Sequence, residues 1–420
     1  MVLDFRALAI DPSWAFAECT QKQTRYLTHG YYTYPAKFIP QLAARLIREL
    51  STPGETVADP FMGSGTTLIE ALVQARRAVG VDINPVAHLV ARVKATPISP
   101  AVLAAEYARL AADLAGERRA TLVPANARID YWFPPAQKNE LGIILARLAE
   151  IDDAAQREFF LVAFAQILKT CSIWLQKSVK PTRDPRKTPA EPRAAFLRQA
   201  RFMLKQNAEF WNLLAPSVRG ALEAYRVIEC ADARALPARA GTVSLIVTSP
   251  PYVTSYEYAD LHQLTALWFE YLDTLPAFRQ RFIGSAYTAR AHIDLRSELA
   301  ERICGDLGDG KKAREVRNYF ADMLECFGEM KRVLRVGGKA CIVIGNTELQ
   351  KIPIRNAEVF AEQLQNLGLR AQAIIKRAIP AKILPQTRDP YSGKFTSARN
   401  SNTVLAYPVE YILVMEKTAD

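Results

Sequence analysis

The sequence predicts an α/β fold, in which a doubly wound and mostly parallel sheet is interrupted by a large helical insertion. A short strand at Thr56-Val57-Ala58 runs into DPFMGSGTTLIEAL, a glycine turn that opens a helix, and AVGVDINP then forms a second strand that ends in an acid. This strand–turn–helix–strand order is typical of one half of a doubly wound sheet. From about Ser99 to Arg226 the pattern is helical almost throughout, and sheet character resumes after it.

The remaining elements follow from hydrophobic spacing. Apolar residues recur at helical spacing within Tyr34–Leu50, which predicts a helix ahead of the first strand. After the insertion, strands are expected at YRVIEC, GTVSLIVT and VGGKACIVIG, while RAQAIIKRAI and NTVLAYPVEYILVMEK are expected to pair as a terminal antiparallel hairpin. We therefore divide the chain into a first part of the sheet domain (1–98), a helical insertion (99–225) and a second part of the sheet domain (226–420).

The composition favours a polyanionic partner. The 420 residues carry a formal net charge of +11, and a basic balance favours nucleic acid or an acidic membrane surface. No stretch approaches the ~20 consecutive apolar residues that span a bilayer, and the N-terminus lacks the pattern of a signal peptide, so we expect a cytoplasmic protein. The six cysteines are scattered and only four histidines are present, so we expect no metal site.

The glycine turn lies where a doubly wound sheet binds its ligand, at the carboxyl end of a strand. Gly63 and Gly65 let the backbone approach a ligand closely, and Thr66 or Thr67 begins a helix whose free N–H groups attract a carboxylate. The turn has neither G-x-G-x-x-G nor G-K-[ST], which disfavours a dinucleotide or a P-loop ligand. A glycine turn alone is a weak signal, because tight strand–helix turns use glycine anyway.

Acids follow the next two strands along the chain. Asp82 ends the second strand, where a carboxylate can accept hydrogen bonds from both hydroxyls of a ribose. Asp232 follows the strand RVIEC, where it can accept a hydrogen bond from an adenine amino group. Each acid singly is well explained as a helix cap or turn residue, but fitting chemistry at three strand ends favours a ligand.

The turn Ser249-Pro250-Pro251-Tyr252 follows a buried strand and suggests an amine site. A nitrogen conjugated to an aromatic ring is a poor nucleophile, and acceptors on its two N–H bonds stabilise the charge that develops when it attacks. The Ser249 hydroxyl and the Pro250 carbonyl supply such acceptors, and the two prolines hold them rigidly. The Tyr252 ring can stack on a base removed from its helix. An ordinary turn with a capping tyrosine explains the tetrapeptide equally well when it is taken alone.

Together these motifs resemble those of the S-adenosylmethionine-dependent amino-methyltransferases of DNA, the cytosine-N4 type in particular. The resemblance rests on D-P-F-M-G-S-G-T-T (Asp59 to Thr67), V-D-I-N-P (Val81 to Pro85), T-S-P-P-Y (Thr248 to Tyr252), H-G-Y-Y-T-Y-P-A-K-F (His29 to Phe38) and V-G-G-K-A-C-I-V-I-G-N (Val336 to Asn346). It implies a seven-stranded, Rossmann-like class I methyltransferase fold. It also implies methylation of DNA within restriction-modification, and leaves open whether a cognate restriction endonuclease accompanies the chain and whether it acts as a monomer or a dimer.

The resemblance carries roles over to particular residues. The cofactor-binding set that it implies is Tyr34, Lys37, Asp59, Phe61, Gly63, Gly65, Thr66, Asp82, Ile83 and Asp232. Within this set Phe61 and the glycines would line the methionine half of S-adenosylmethionine, Asp82 would hold the ribose and Ile83 would cover the adenine. The target base would be held by Ser249, Pro250, Pro251 and Tyr252.

One departure from the family concerns the insertion, because family members usually carry their target-recognition region elsewhere. Its basic, proline-broken segment makes it a candidate DNA-recognition module, since cations contact phosphates without reading sequence. The predicted DNA-binding residues are Lys177, Lys180, Arg183, Arg186, Lys187, Arg388 and Lys394. A solvated surface loop is the simpler explanation of these charges.

The resulting hypothesis is a DNA methyltransferase that flips a cytosine and methylates its exocyclic N4, with double-stranded DNA as partner. Serine ahead of the two prolines favours cytosine-N4 over adenine-N6 methylation, but that preference is loose. An RNA base methyltransferase and a non-catalytic nucleic-acid binder with the same fold are the further alternatives.

Overall fold

The computed structural model describes residues 5, 7–35, 37–116, 121–253, 258–272, 274–285, 294–379, 387–388, 395–396, 404–405 and 408–419. Its strands are β1 (Thr56–Asp59), β2 (Arg77–Val81), β3 (Arg226–Glu229), β4 (Val243–Thr248), β5 (Leu334–Ile344), β6 (Thr347–Leu349), β7 (Ile352–Ile354), β8 (Leu369–Ala378), β9 (Thr387–Arg388), β10 (Phe395–Thr396), β11 (Val404–Leu405) and β12 (Val409–Lys417).

Sixteen α-helices are present within the described residues. They are α1 (Pro40–Leu50), α2 (Thr66–Val73), α3 (Pro85–Lys94), α4 (Pro100–Ala115), α5 (Ala127–Trp132), α6 (Pro135–Ala149), α7 (Ala154–Ile167), α8 (Pro192–Leu213), α9 (Pro216–Gly220), α10 (Leu222–Tyr225), α11 (Tyr258–Leu261), α12 (Gln263–Trp268), α13 (Leu275–Gln280), α14 (Glu298–Asp306), α15 (Lys311–Val333) and α16 (Asn356–Asn366). Short 3-10 helices lie at Pro12–Trp14, Gln23–Arg25 and Leu27–Gly30. In the part of the chain that the structure describes, no helix is both long and apolar enough to cross a bilayer.

Seven strands form the main sheet, in the order β3-β2-β1-β4-β5-β12-β8. Neighbouring strands from β3 to β5 run parallel, whereas β12 is antiparallel to both β5 and β8. The predicted doubly wound sheet and its terminal antiparallel hairpin are therefore confirmed. Since β1 lies between β2 and β4, the glycine turn and the turn at Ser249 leave from adjacent strands.

Strand β4 is buried along its whole length because helices cover both faces of the sheet. Successive side chains point to opposite faces, so Leu245 and Val247 pack with α1 and α2, while Ile246 packs with α15 and α16. This explains why β4 is a continuous apolar run rather than an alternating one.

Two predicted boundaries are wrong, and proline accounts for both. The first helix begins at Pro40 rather than near Tyr34, because a proline lacks the N–H that a first helical residue would leave unpaired anyway. The predicted strand NTVLAYPVEYILVMEK is divided, and β12 begins only at Val409, directly after Pro408. Proline cannot donate to a sheet ladder, although the Pro408 carbonyl oxygen still accepts a hydrogen bond from the Ile379 N–H at 3.0 Å.

The insertion consists of α4 to α10, as the helical pattern predicts. Its aromatic residues, among them Trp132 and Phe164, share one buried cluster with Tyr31 and Tyr34 from the N-terminal segment and with Trp268 of α12. The division at 98/99 and 225/226 stays a prediction. The shared cluster fastens the insertion to segments on both sides of it.

Candidate active site

The glycine turn between β1 and α2 is shaped by two residues with positive φ angles, in the left-handed backbone conformation. Gly63 has φ +47° and Gly65, the N-cap of α2, has φ +78°. A Cβ on Gly65 would lie 3.0 Å from the Ala91 Cβ of α3, so only glycine fits between the two helices. The turn thereby places its backbone, rather than side chains, at the end of β1.

Two carboxyl groups, the buried Asp59 and the half-buried Asp82, support this turn. Asp59 Oδ1 accepts hydrogen bonds from Thr248 Oγ1 at 2.6 Å and from the Phe61 N–H at 3.1 Å. Asp82 accepts from the Gly63 N–H at 3.0 Å and from the Asn84 N–H at 2.9 Å. Burial raises the pKa of each carboxyl group to about 6, although these hydrogen bonds oppose the shift.

An open cavity of about 860 Å³, part of it solvent space, lies at the ends of β1 and β4. Both turns contribute to its wall, because β1 and β4 are neighbours in the sheet. The predicted site residues that line it are Tyr34, Lys37, Asp59, Phe61, Gly63, Thr66, Asp82, Ile83, Asp232, Ser249 and Pro251. Gly65, Pro250 and Tyr252, which the structure also describes, do not line it.

One side of the cavity suits a polar, anionic group. The hydroxyl oxygens of Ser64 and Thr66 are buried and have no hydrogen-bond partner within the described residues, and both residues line the cavity. Lys37 also lines it and donates to the His29 carbonyl oxygen at 3.2 Å. Burial, aided by the Arg25 charge, lowers the pKa of Lys37 to about 8, which leaves the amine mostly protonated at neutral pH.

Asp232 lies on the cavity wall in an ion-pair network that the sequence did not predict. Arg234 Nη2 is 2.6 Å from Asp232 Oδ2, and Arg234 Nη1 is 3.0 Å from Asp322 Oδ1 on α15. The other Asp322 oxygen accepts a hydrogen bond from the Gly284 N–H at 2.8 Å. Asp322 thus holds the segment whose Arg281, Phe282 and Ile283 form part of the cavity wall.

The turn at Ser249 is held from behind by two residues that sequence reasoning missed. The Tyr319 hydroxyl of α15 donates a hydrogen bond to the Pro251 carbonyl oxygen at 2.8 Å. The Tyr252 hydroxyl donates to Glu410 Oε2 at 3.2 Å, and Glu410 is itself paired with the buried Arg377. A charged residue inside the apolar strand YPVEYILVMEK was the one available signal for Glu410.

The Tyr252 ring lies outside the cavity, against the end of β5. A Cβ on Gly345 would come within 3.0 Å of Tyr252 Cε2, so glycine at this position makes room for the ring. The ring is therefore placed by packing on Gly345 and by the hydrogen bond to Glu410.

The predicted DNA-binding residues of the insertion lie apart from the cavity wall. Lys177, Lys180, Arg183 and Arg186 are exposed, but the Lys187 amine donates to the carbonyl oxygens of Lys169 at 2.7 Å and Trp174 at 2.8 Å. Lys187 therefore braces its loop from inside. Lys394 and the side chain of Arg388 lie outside the described residues. Among those that are described, no group of three His, Cys, Asp or Glu side chains is placed to hold a metal ion.

Comparison with known proteins points to one family. A family model described as DNA methylase, of the N6/N4 methyltransferase type, matches residues 6–92. The chain is 26% identical to Type II methyltransferase M.MvaI of Kocuria varians over 398 residues. This aligned region covers 87% of each of the two chains. It is 39% identical over 62 residues to DNA adenine methyltransferase YhdJ of Escherichia coli, covering 15% of this chain and 21% of that one.

Among solved structures, the rRNA methyltransferase aviRa of Streptomyces viridochromogenes matches with a TM-score of 0.30 and 11% identity, over 91% of this chain and 86% of that one. The matched family segment contains the glycine turn and Asp82, both of which line the cavity. The resemblance predicted from the motifs is thereby confirmed: residues 6–92 match the DNA methylase family of the N6/N4 type, whose cofactor is S-adenosylmethionine, and most of the chain is similar to a Type II methyltransferase.

Proposed function

We propose that this enzyme methylates the exocyclic N4 of a cytosine that has been flipped out of double-stranded DNA. The observation that supports the proposal is the common cavity of the two turns, which is lined by Gly63 from one and by Ser249 from the other. A cofactor bound along the first turn and an amine held by the second would therefore meet in one space.

The cavity residues fit the parts of S-adenosylmethionine. The hydroxyls of Ser64 and Thr66 lack partners within the described residues and, with the Lys37 amine, suit the amino-acid end of the cofactor. The Asp82 carboxylate would accept the ribose hydroxyls, and Ile83 would cover the adenine. Asp232, which lies on the cavity wall, would accept a hydrogen bond from the adenine amino group in place of one that it accepts from Arg234. When bound, the cofactor supplies an electrophilic methyl group on its sulfonium.

The turn at Ser249 would prepare the amine. The Ser249 hydroxyl and the Pro250 carbonyl would accept hydrogen bonds from its two N–H groups, which favours a pyramidal nitrogen. They would also stabilise the positive charge that forms on this nitrogen as the new N–C bond is made and the bond from the methyl group to sulfur breaks, leaving a neutral thioether. One N–H proton then leaves for solvent. The Tyr252 ring, which does not line the cavity while its hydroxyl is bonded to Glu410, would have to turn toward the cavity to stack on the flipped base.

Adenine-N6 methylation is the second candidate, favoured by the similarity to the adenine methyltransferase YhdJ. Serine rather than an acid or asparagine ahead of the two prolines favours cytosine. Nucleosides from a plasmid co-expressed with the enzyme should contain N4-methylcytosine by mass spectrometry, and N6-methyladenine in its place would refute the proposed base. An accompanying restriction endonuclease stays a prediction.

Three substitutions at two positions test the residue roles. Ser249→Ala removes one preorganised acceptor and should lower turnover about 10²-fold. Tyr252→Ala should lower it strongly as well, whereas Tyr252→Phe keeps the stacking ring and should retain most activity. The affinity for S-adenosylmethionine, measured by calorimetry, should survive in all three variants, and a parallel loss of cofactor binding would contradict the assigned roles.

A further inference from the structure

The insertion presents an exposed hairpin that is rigid and strongly basic. The basic hairpin, residues 173–187, closes through the Leu175 N–H to Thr182 carbonyl bond at 2.8 Å and the Asp184 N–H to Ile173 carbonyl bond at 2.7 Å. From inside, the Lys187 amine binds three acceptor oxygens. The exposed cations of the hairpin are Lys177, Lys180, Arg183 and Arg186. Within the described residues, none of these four takes part in an ion pair.

An exposed tyrosine of α5 lies beside this hairpin. Tyr131 is 46% exposed, and the Arg183 guanidinium lies 4.7 Å from its ring centroid. The Arg128 guanidinium approaches the same ring at 5.7 Å. These cation–π contacts hold two arginines close together without neutralising either charge. Beneath them, the stacked rings of Trp132 and Trp174, with centroids 5.0 Å apart, fix the hairpin to α5.

A chain of contacts joins this surface to the cavity. Arg128 Nη2 and Trp132 Nε1 both donate to Gln263 Oε1, at 2.9 and 3.2 Å. The residue before Gln263 is His262, whose ring lies 4.6 Å from the ring of Tyr34, a cavity-lining residue. The hairpin therefore has a fixed position next to the segment that follows the Ser249 turn.

We propose that this surface docks the sugar–phosphate backbone of the DNA duplex whose base enters the cavity, an inference that rests on the proposed function. The docking surface comprises Arg128, Tyr131, Lys177, Lys180, Arg183 and Arg186. Its five uncompensated cations match the closely spaced phosphates of a duplex. Because backbone contacts position a protein without reading sequence, the surface sets the distance between duplex and cavity rather than the target sequence.

The test of this surface is the binding of a labelled DNA duplex of arbitrary sequence, about 30 base pairs long. Its association constant is measured at several KCl concentrations between roughly 50 and 200 mM. In the double variant Arg183→Ala/Arg186→Ala, the slope of the logarithm of the association constant against the logarithm of the KCl concentration should become shallower by about 2. Each lost phosphate contact accounts for about 1 of this change. Tyr131→Ala should weaken binding roughly two- to fivefold, because it releases the paired arginines. The matched control is Arg302→Ala/Arg314→Ala, which removes two exposed arginines from α14 and α15, helices that pack on the sheet apart from the insertion.

Steady-state kinetics of methyl transfer distinguish a loss of DNA docking from a loss of the chemical step. In the Arg183/Arg186 double variant, KM for DNA should rise while kcat at saturating DNA and the affinity for S-adenosylmethionine stay unchanged. An unaltered salt slope in that variant overturns the inference, and so does an equal decrease of the slope in the Arg302→Ala/Arg314→Ala control. Tighter binding of single-stranded RNA or of anionic phosphatidylserine vesicles than of the duplex also overturns it. Should the enzyme transfer no methyl group to DNA while the double variant still shows the shallower slope, the proposed function fails and the docking surface stands.

Discussion

Replacing Tyr319 by phenylalanine tests whether the turn at Ser249 is held in its working position from behind. The substitution removes one hydroxyl, which donates to the Pro251 carbonyl oxygen at 2.8 Å, and keeps the ring. The side chain is 2% exposed, and its ring packs on that of Phe360 with centroids 6.1 Å apart. Because phenylalanine fills the same space, we expect the fold to survive and the turn to lose one restraint.

The size of the effect follows from the energy of that hydrogen bond. A neutral intramolecular hydrogen bond contributes about 0.5–1.5 kcal/mol net. Under the proposed function the turn holds the base amine, so loss of the bond should raise the activation barrier, and the rate constant for methyl transfer should fall roughly 2- to 13-fold. Tyr319 does not line the cavity, so the affinity for S-adenosylmethionine should be unchanged.

Single-turnover transfer of tritiated methyl groups to plasmid DNA measures the rate constant, calorimetry measures cofactor affinity, and thermal unfolding reports the fold. The matched control is Tyr31→Phe, which removes a buried hydroxyl that has no hydrogen-bond partner within the described residues. A transfer rate for Tyr319→Phe equal to that of the wild type would refute the reasoning. A slower rate in both variants would assign the loss to general packing.

Two further predictions concern the cofactor side of the cavity. Gly65→Ala should lower the free energy of unfolding by about 1–3 kcal/mol more than Gly241→Ala does, because its new Cβ would meet Ala91 at 3.0 Å while Gly241, also at positive φ, faces open space. The affinity for S-adenosylmethionine should fall about tenfold between pH 7 and pH 5, since burial raises the pKa of Asp82 to about 6 and only the ionised carboxylate accepts both ribose hydroxyls.

Urea unfolding of the two glycine variants and calorimetric titrations across the pH range check these expectations. Equal stability of the two glycine variants would contradict the packing argument. Asp82→Asn should abolish the pH dependence of cofactor affinity, and a dependence that persists in this variant would point to another group. The stability of the cofactor-free protein should depend on pH in the opposite direction from cofactor affinity. A raised carboxyl pKa means that the native state binds the proton of Asp82 more tightly than the unfolded chain does, so the contribution of Asp82 to the free energy of unfolding is lost as pH rises through about 6.

The parts of the site that the sequence predicts are those formed by local chain geometry. Gly63, Gly65 and the start of α2 at Thr66 are close together in the sequence, and a left-handed turn between a strand and a helix requires glycine. Asp82 was predictable because it follows a strand, and parallel strands end at the same edge of a sheet. The positions of both turns on one cavity followed from those strand ends.

The residues that anchor the turn at Ser249 could not be predicted in this way. Tyr252 and Glu410 are separated by 158 residues, and Tyr319 lies 68 residues from Pro251. Tyr319 belongs to the amphipathic helix α15, where the sequence predicts only that an aromatic residue on the apolar face packs in the core. Lys187 illustrates the same limit: its basic neighbourhood predicted a phosphate contact, and only the structure shows that its amine donates to the carbonyl oxygens of Lys169 and Trp174 and to Gln176 Oε1. Its contact with DNA stays a prediction.

The sequence by itself determined the alternation of strands and helices, the glycine turn, the acids at the strand ends and the rigid S-P-P-Y tetrapeptide, because each depends on backbone preferences within a few residues. Only the tertiary structure decided which hydroxyls and carboxylates brace that tetrapeptide, and which cations of the insertion stay exposed beside Tyr131. Those outcomes depend on packing between distant segments, where a side chain's partners are set by the direction of whole helices and strands rather than by its neighbours in the chain.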